Sequence, residues 1–144
     1  MREDEKPGDF AQAIVMRARG AVGAAFRPQG RSIECGLDCI GLAALALAVP
    51  EQAVPSGYRL RGGRIGALRA QLSKLGLDAV ASGDGLPGDL AVFQPGPGQI
   101  HLAILTGPTL IHADAALRRV VERPLPAPWP ALGLWRTKTD RRSD

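Results

Sequence analysis

The chain has 144 residues, 45% of them apolar, which suits one domain large enough to bury a core without disulfides or metal. Its longest apolar run, residues 40–49, falls far short of the roughly 20 residues a membrane span needs, and no apolar stretch with a cleavage site follows the mixed-charge residues 1–7, so neither a span nor a secretory signal is expected. The net charge of +4, with basic residues grouped at Arg59, Arg61 and Arg64, at Arg118, Arg119 and Arg123, and at Arg136, Lys138, Arg141 and Arg142, favours an anionic polymer; two tryptophans, one tyrosine and three phenylalanines are too few to stack on bases, so nucleic acid is not the expected partner.

Phe10, Ile14, Val15 and Ala18 recur at helical spacing, which predicts an amphipathic helix over residues 9–19, capped by Asp9 and ended by Gly20. Residues 21–37 contain Gly23, Pro28, Gly30 and Gly36 without a period and predict an irregular surface loop. At Asp38, a favoured N-cap residue, an Ala/Leu run begins that stops before Pro50, predicting a central helix that is apolar all round and therefore buried. Residues 51–63 read as a polar connection. A third helix follows over 64–75, with Ile65, Leu68, Leu72 and Leu75 as its inner stripe and Gly76 at the C-terminal cap position.

Beyond residues 84–88 the period becomes strand-like in five runs, 89–94, 100–106, 109–113, 119–123 and 132–137, separated by Gly/Pro turn signals. Helices first and strands second, with short connections, predict an α+β fold in which N-terminal helices pack on an antiparallel sheet of about five strands. The expected organisation is a single domain over residues 9–137 between flexible ends, 1–8 and 138–144.

Two cysteines and two histidines are present, few enough that each needs a reason. Cys39 follows the cap residue Asp38, so it falls in the first turn of a buried helix, where free N–H groups and the helix dipole favour a thiolate and lower the thiol pKa. Gly41 would let a substrate approach, and the Cys39 N–H would face a developing oxyanion. The plainer reading of Cys39 is a small buried hydrophobe. His101 and His112 lie on two strand runs joined by Gly107-Pro108. If a two-residue loop closes that hairpin, Thr106 faces Thr109, Ala103 faces His112 and Asp114 faces His101, and the two imidazoles become diagonal neighbours on one face, about 7 Å apart at the backbone. A Cys/His/polar triad is then available, with either His112 or Asp114 as the group that orients His101. The plainer reading of each histidine is a partly buried strand residue. Cys35, Cys39, His101 and His112 have zinc-ligand chemistry but no recognised spacing, so no metal or other cofactor is expected.

Four stretches resemble the NlpC-type cell-wall cysteine peptidases, which are papain-like hydrolases: Gly23-Ala-Ala-Phe26-Arg-Pro-Gln-Gly30, Leu37-Asp-Cys-Ile-Gly-Leu42, Pro87-Gly-Asp-Leu-Ala-Val-Phe93, and Ile100-His-Leu-Ala-Ile104 with Leu110-Ile-His-Ala113. The Asp-Cys-Ile-Gly-Leu signature is most similar to a short branch found with phage tails and gene-transfer particles. The resemblance implies Cys39 as nucleophile, His101 as base and His112 as orienting residue, acting on the peptidoglycan stem peptide at a γ-D-glutamyl-diaminopimelate bond. It implies delivery by a phage or phage-like tail, with tail or baseplate proteins as partners and action in the periplasm after synthesis in the cytoplasm. Phe26, Gln29, Asp38 and Gly41 are the residues it sets beside substrate or oxyanion. Phe26 stands where the family has tyrosine, so a site hydroxyl is missing unless Gln29 substitutes, which opens the alternative of a weak or inactive component that binds wall peptide. Ile40 replaces the family serine. Cys35 is additional, either an inert loop thiol or a partner that masks Cys39 in a disulfide. Acyl transfer to an amine rather than water is a further possibility of the same thiol chemistry.

Overall fold

The computed structural model describes residues 8–54, 65–81 and 85–138. The first helix, α1 (Asp9–Gly20), buries Ala11, Ile14, Val15 and Ala18. Its N-cap is Gly8 rather than Asp9: Gly8 takes a left-handed conformation (φ 91°), and Asp9 moves into the first turn, where its charge suits the positive helix end. Gly88 permits the helix to lie close to the sheet, because a side chain there would stand 2.9 Å from the Ala11 Cα.

Residues 21–37 are more ordered and more buried than the expected surface loop. Two short strands, β1 (Arg31–Ser32) and β2 (Gly36–Leu37), pair antiparallel, and Ala21, Ala24 and Leu37 are buried. Strands of two residues carry no periodicity, so the pattern rule had nothing to detect. Backbone hydrogen bonds from Gly23 to Val120, Val120 to Ala24 and Phe26 to Arg118 tie this segment to a later strand.

The central helix α2 (Cys39–Ala46) is capped by Asp38, whose side chain accepts from the Gly41 N–H. It ends at Ala46, short of the expected stop before Pro50, with Leu47 as C-cap and Ala48 at φ 56°. A further helix, α3 (Ile65–Lys74), places only Leu72 fully in the core; Ile65, Leu68 and Leu75 are partly buried against it. Gly76, at φ 88°, ends this helix as expected. Residues 1–7, most of the 51–63 connection, Arg59, Arg61, Arg64, Asp84 and the tail from 139 onward lie outside the described residues.

The sheet has six strands, not five. β3 (Leu77–Val80), β4 (Leu90–Phe93), β5 (His101–Leu105), β6 (Thr109–Asp114), β7 (Arg119–Pro124) and β8 (Ala131–Thr137) are ordered β3-β8-β4-β5-β6-β7, every pair antiparallel. The five predicted strands are β4 to β8. β3 was missed because four residues directly after a helix cap are too few to show alternation; it is held at the edge by pairing with β8.

Period-2 alternation divides the sheet into two sides. Leu90, Val92, Leu102, Ile104, Ile111, Ala113 and Val120 join the helices in the main core, which includes Cys39. Ala91, Phe93, Ala103, Leu105 and Leu110 face the other way and are covered by Leu125, Ala127, Trp129 and Leu134. Between these layers Asp89 is fully buried and accepts from Arg136 Nε and Nη2 at 2.8 Å each, while the Leu86 N–H donates to it at 2.9 Å. Arg136 therefore belongs to a buried bidentate pair and not to the basic surface expected from the sequence.

Candidate active site

The thiol side is built by Asp38. Its Oδ1 accepts from the Gly41 N–H and its Oδ2 from the Gln29 N–H, both at 2.8 Å, and Arg31 Nη1 stands 3.7 Å from Oδ1. With all of this around it, Asp38 is 1% exposed and acts as a structural cap that fixes the helix start against the 27–31 loop. Gln29 is held at φ 62°, an uncommon left-handed conformation for a residue with a side chain, and its side chain is exposed. Gly41 is needed for a different approach from the one expected: a Cβ there would overlap the Gly30 carbonyl, so the loop and not a substrate occupies that space. Phe26 is half-buried against the main core.

Cys39 is 1% exposed, and burial pushes its thiol up to about 12. Hydrogen bonds from the backbone of Leu102, Cys39 and Ile40 act in the opposite direction, as the helix-start argument requires, while the Asp38 charge adds to the rise. The expected lowering is thus real in its cause and outweighed by desolvation. Cys35 is an exposed free thiol in the β1–β2 turn, where its N–H donates to Ser32 Oγ at 3.0 Å.

The imidazole side is built by the β5–β6 hairpin. Ile104 pairs with Ile111 and Leu105 with Leu110, which is the register of a two-residue Gly107-Pro108 loop. The loop is tightened by a short contact between the Thr106 and Thr109 hydroxyls and by Thr109 Oγ1 donating to Glu122 at 2.6 Å. The ladder stops there and does not reach Ala103 with His112 or His101 with Asp114. Toward this unladdered end the backbone of Leu102 serves the Cys39 sulfur, one residue from His101.

His101 Nε2 and His112 Nδ1 are 2.8 Å apart, with ring centroids 4.9 Å apart in an edge-on arrangement. The side chain that meets His101 is therefore His112; Asp114 stands behind it, Oδ2 lying 3.9 Å from His112 Nε2. Among the described residues no hydrogen bond joins Cys39 to His101. Burial lowers both imidazoles; His101, lowered also by the His112 charge and partly restored by Asp114, falls to about 4.

Trp129 is the site residue that the sequence reading passed over. Its ring lies 4.9 Å from His101, 5.0 Å from His112 and 5.3 Å from Phe93, and Arg123 sits 5.7 Å over it. The available signal was one large aromatic among prolines in residues 124–130, a stretch read only as a turn. An apolar groove lined by Phe93, Leu105, Trp129 and Leu134 lies on this side, and another cavity, lined by Ile40, Leu68, Leu72, Leu90 and Leu102, lies on the helix side; Cys39 lines neither.

The backbone is similar to those of known proteins. NlpC1 from Trichomonas vaginalis superposes with a TM-score of 0.66 at 18% identity, over 94% of this chain and 48% of its own length. The P60 domain of an antigen from M. avium subspecies paratuberculosis gives 0.60 at 17% identity, over 89% and 93%. The fold is that of an NlpC/P60 domain. The NlpC/p60 domain of the peptidoglycan hydrolase SagA gives 0.54 at 25% identity, over 79% and 88%. The chain spans about half the length of NlpC1 and of its relative NlpC2 from the same organism. No family model matches the sequence. No curated protein is significantly similar to it in sequence either.

On this NlpC/P60 scaffold the arrangement offers a buried thiol, an imidazole with one nitrogen committed to a second imidazole, and backbone N–H groups around the sulfur. Among the described residues no group of three or more His, Cys, Asp or Glu side chains could hold a metal ion, and no helix is long and apolar enough to cross a membrane.

Proposed function

We propose that the chain is a cysteine peptidase of the bacterial cell wall that cleaves the peptidoglycan stem peptide at a γ-D-glutamyl-diaminopimelate bond. The observation that carries this reading is the 2.8 Å His101 Nε2 to His112 Nδ1 contact, made one residue from the Leu102 backbone that serves the Cys39 sulfur. The SagA domain, a peptidoglycan hydrolase on the same fold, supports the substrate class.

In this mechanism His112 takes up His101 Nε2, which leaves His101 Nδ1 for the thiol. Thiol and imidazole are both neutral at rest, so His101 removes the Cys39 proton as sulfur attacks the peptide carbonyl, a general-base step and not attack by a preformed thiolate. The N–H of Cys39 steadies the oxyanion. The protonated His101 then gives its proton to the leaving amine, and water releases the acyl-enzyme.

The likeness of Asp-Cys-Ile-Gly-Leu to the short phage-associated branch supports assembly into a phage or phage-like tail, a route to the wall that needs no secretion. Mass spectrometry of purified particles from the producing cell is expected to detect the chain.

Purified protein incubated with muropeptides is expected to release a shortened stem peptide, identified by mass. Cys39→Ala should abolish the product while Cys35→Ala retains it; equal activity in Cys39→Ala would sink the reading. Two observations favour a second reading, a wall-peptide binder that no longer cuts: the thiol held near 12, and Phe26 in place of a hydroxyl-bearing residue. Muropeptide binding without turnover supports that reading instead.

A further inference from the structure

The imidazole pair leaves one polar atom unexplained. His112 is 2% exposed, and its Nε2 is buried without a hydrogen-bond partner, a condition that native proteins rarely tolerate. Just beyond hydrogen-bond range lies the Asp114 carboxylate, whose two oxygens have different surroundings. Oδ1 accepts from the Ala116 and Leu117 N–H groups at 2.9 and 3.0 Å, so the turn after β6 anchors the carboxylate. Oδ2 is the oxygen directed toward His112 Nε2, at 3.9 Å.

We propose that Asp114 is a positioning residue that fixes the order of protons along the histidine pair, so that His101 presents an unprotonated Nδ1 to Cys39. A carboxylate facing His112 Nε2 keeps the proton on that nitrogen, directly after a shift of about 1 Å or through one bridging water. His112 Nδ1 must then be an acceptor, since a neutral imidazole carries one N–H. The 2.8 Å contact next to it therefore requires His101 Nε2 to be the donor, and His101 Nδ1 is left with a lone pair. Without the carboxylate the opposite order is equally consistent with the contact, and it would turn an N–H toward the thiol, where no proton can be accepted.

The charged and titratable groups that face the pair are Asp114 from β6, Arg123 from β7 and, through the Leu102 backbone, Cys39 from α2. Arg123 opposes a charge on His112 and Asp114 favours one, so Asp114 is the group that also stabilises the imidazolium formed during catalysis.

This inference rests on the proposed peptidase chemistry for its purpose, but its test does not depend on turnover. In the full-length, ¹⁵N-histidine-labelled protein at pH 7, long-range ¹H–¹⁵N spectra report the tautomer of each ring, and the two signals are assigned by His101→Gln. Both histidines are expected to carry the proton on Nε2. Asp114→Asn keeps an oxygen for the turn but offers an amide N–H₂ to His112, so both tautomers are expected to invert. If the muropeptide assay gives turnover, the same substitution should lower kcat by about 10 to 100-fold with KM unchanged. It should also move the acid limb of the pH–rate profile to lower pH, because a charge that favours the imidazolium is gone. An Nδ1–H form of His112 in the unsubstituted protein, or tautomers unaltered in Asp114→Asn, overturns the proposal. An unsubstituted protein with both protons on Nε2 and no turnover would instead overturn the peptidase reading and leave this one standing.

Discussion

The thiol half and the imidazole half of the site treat their reactive groups by the same means and with opposite consequences. In the thiol half Cys39 is enclosed by Leu42, Leu102 and the Asp38-capped loop, and burial raises its thiol to about 12. In the imidazole half His101 and His112 are enclosed by Trp129 and Phe93, and burial lowers the imidazole of His101 to about 4. Desolvation disfavours whichever form is charged, so it protonates the acid and deprotonates the base. This site therefore rests as a neutral pair. An activated thiolate would need the positive end of α2 to outweigh burial, and a helix of 8 residues, with one first-turn N–H already taken by Asp38, does not supply that.

The largest expected effect comes from removing the proposed general base. His101→Ala should lower kcat/KM on muropeptides by about 10²–10⁴-fold, the usual worth of a general base, with the circular dichroism spectrum unaltered. A loss of less than tenfold would mean that proton transfer from Cys39 uses another group. Next in size is the response to acid. His101 is depressed from 6.5 to about 4, so the unfolded chain binds more protons than the folded one between those values, and stability falls as pH drops from about 6.5 through about 4. The cost approaches about 3 kcal/mol once both values are passed, and His112, lowered in the same direction, adds to it. Urea unfolding at pH 7 and pH 4 checks this, and His101→Ala should narrow the difference between the two pH values. An equal difference in both proteins would place the acid sensitivity elsewhere.

How much of this could be read from the sequence follows from where periodicity exists. The five runs that became β4 to β8, the apolar central helix and the Gly107-Pro108 register were legible because each has several residues of pattern or a defined turn. The β1–β2 pair and β3 were too short to show a period, and Gly8 displaced Asp9 as cap because left-handed backbone at a helix entry is not encoded in a residue preference for capping oxygens. At the candidate site, Cys39, His101 and His112 stand out in the sequence by their residue types alone. The roles of their neighbours do not. Gly41 serves packing against Gly30, Asp38 serves the loop, and the direction of the Cys39 shift depends on burial by residues more than 60 positions away, such as Leu102. Trp129 was invisible for the same reason: it comes to the histidines only because the segment after β7 folds back across the sheet.

Trp129 supplies the finest division between the two sides, because it touches only the imidazole side. Trp129→Ala removes a half-buried ring and should cost about 2 kcal/mol, less than the 3–5 kcal/mol typical of fully buried tryptophan. The more telling effect is on proton affinity. Removing the ring admits water to His101 and His112, so both should titrate closer to 6.5, seen as an upward move of their ¹H chemical-shift midpoints. The thiol, enclosed by α2 and the 27–31 loop, should not follow, and the pH dependence of Cys39 alkylation by iodoacetamide should stay as it was. Movement of both groups together would mean that one shared water-excluded space controls them, and the division into two independently buried sides would have to be abandoned.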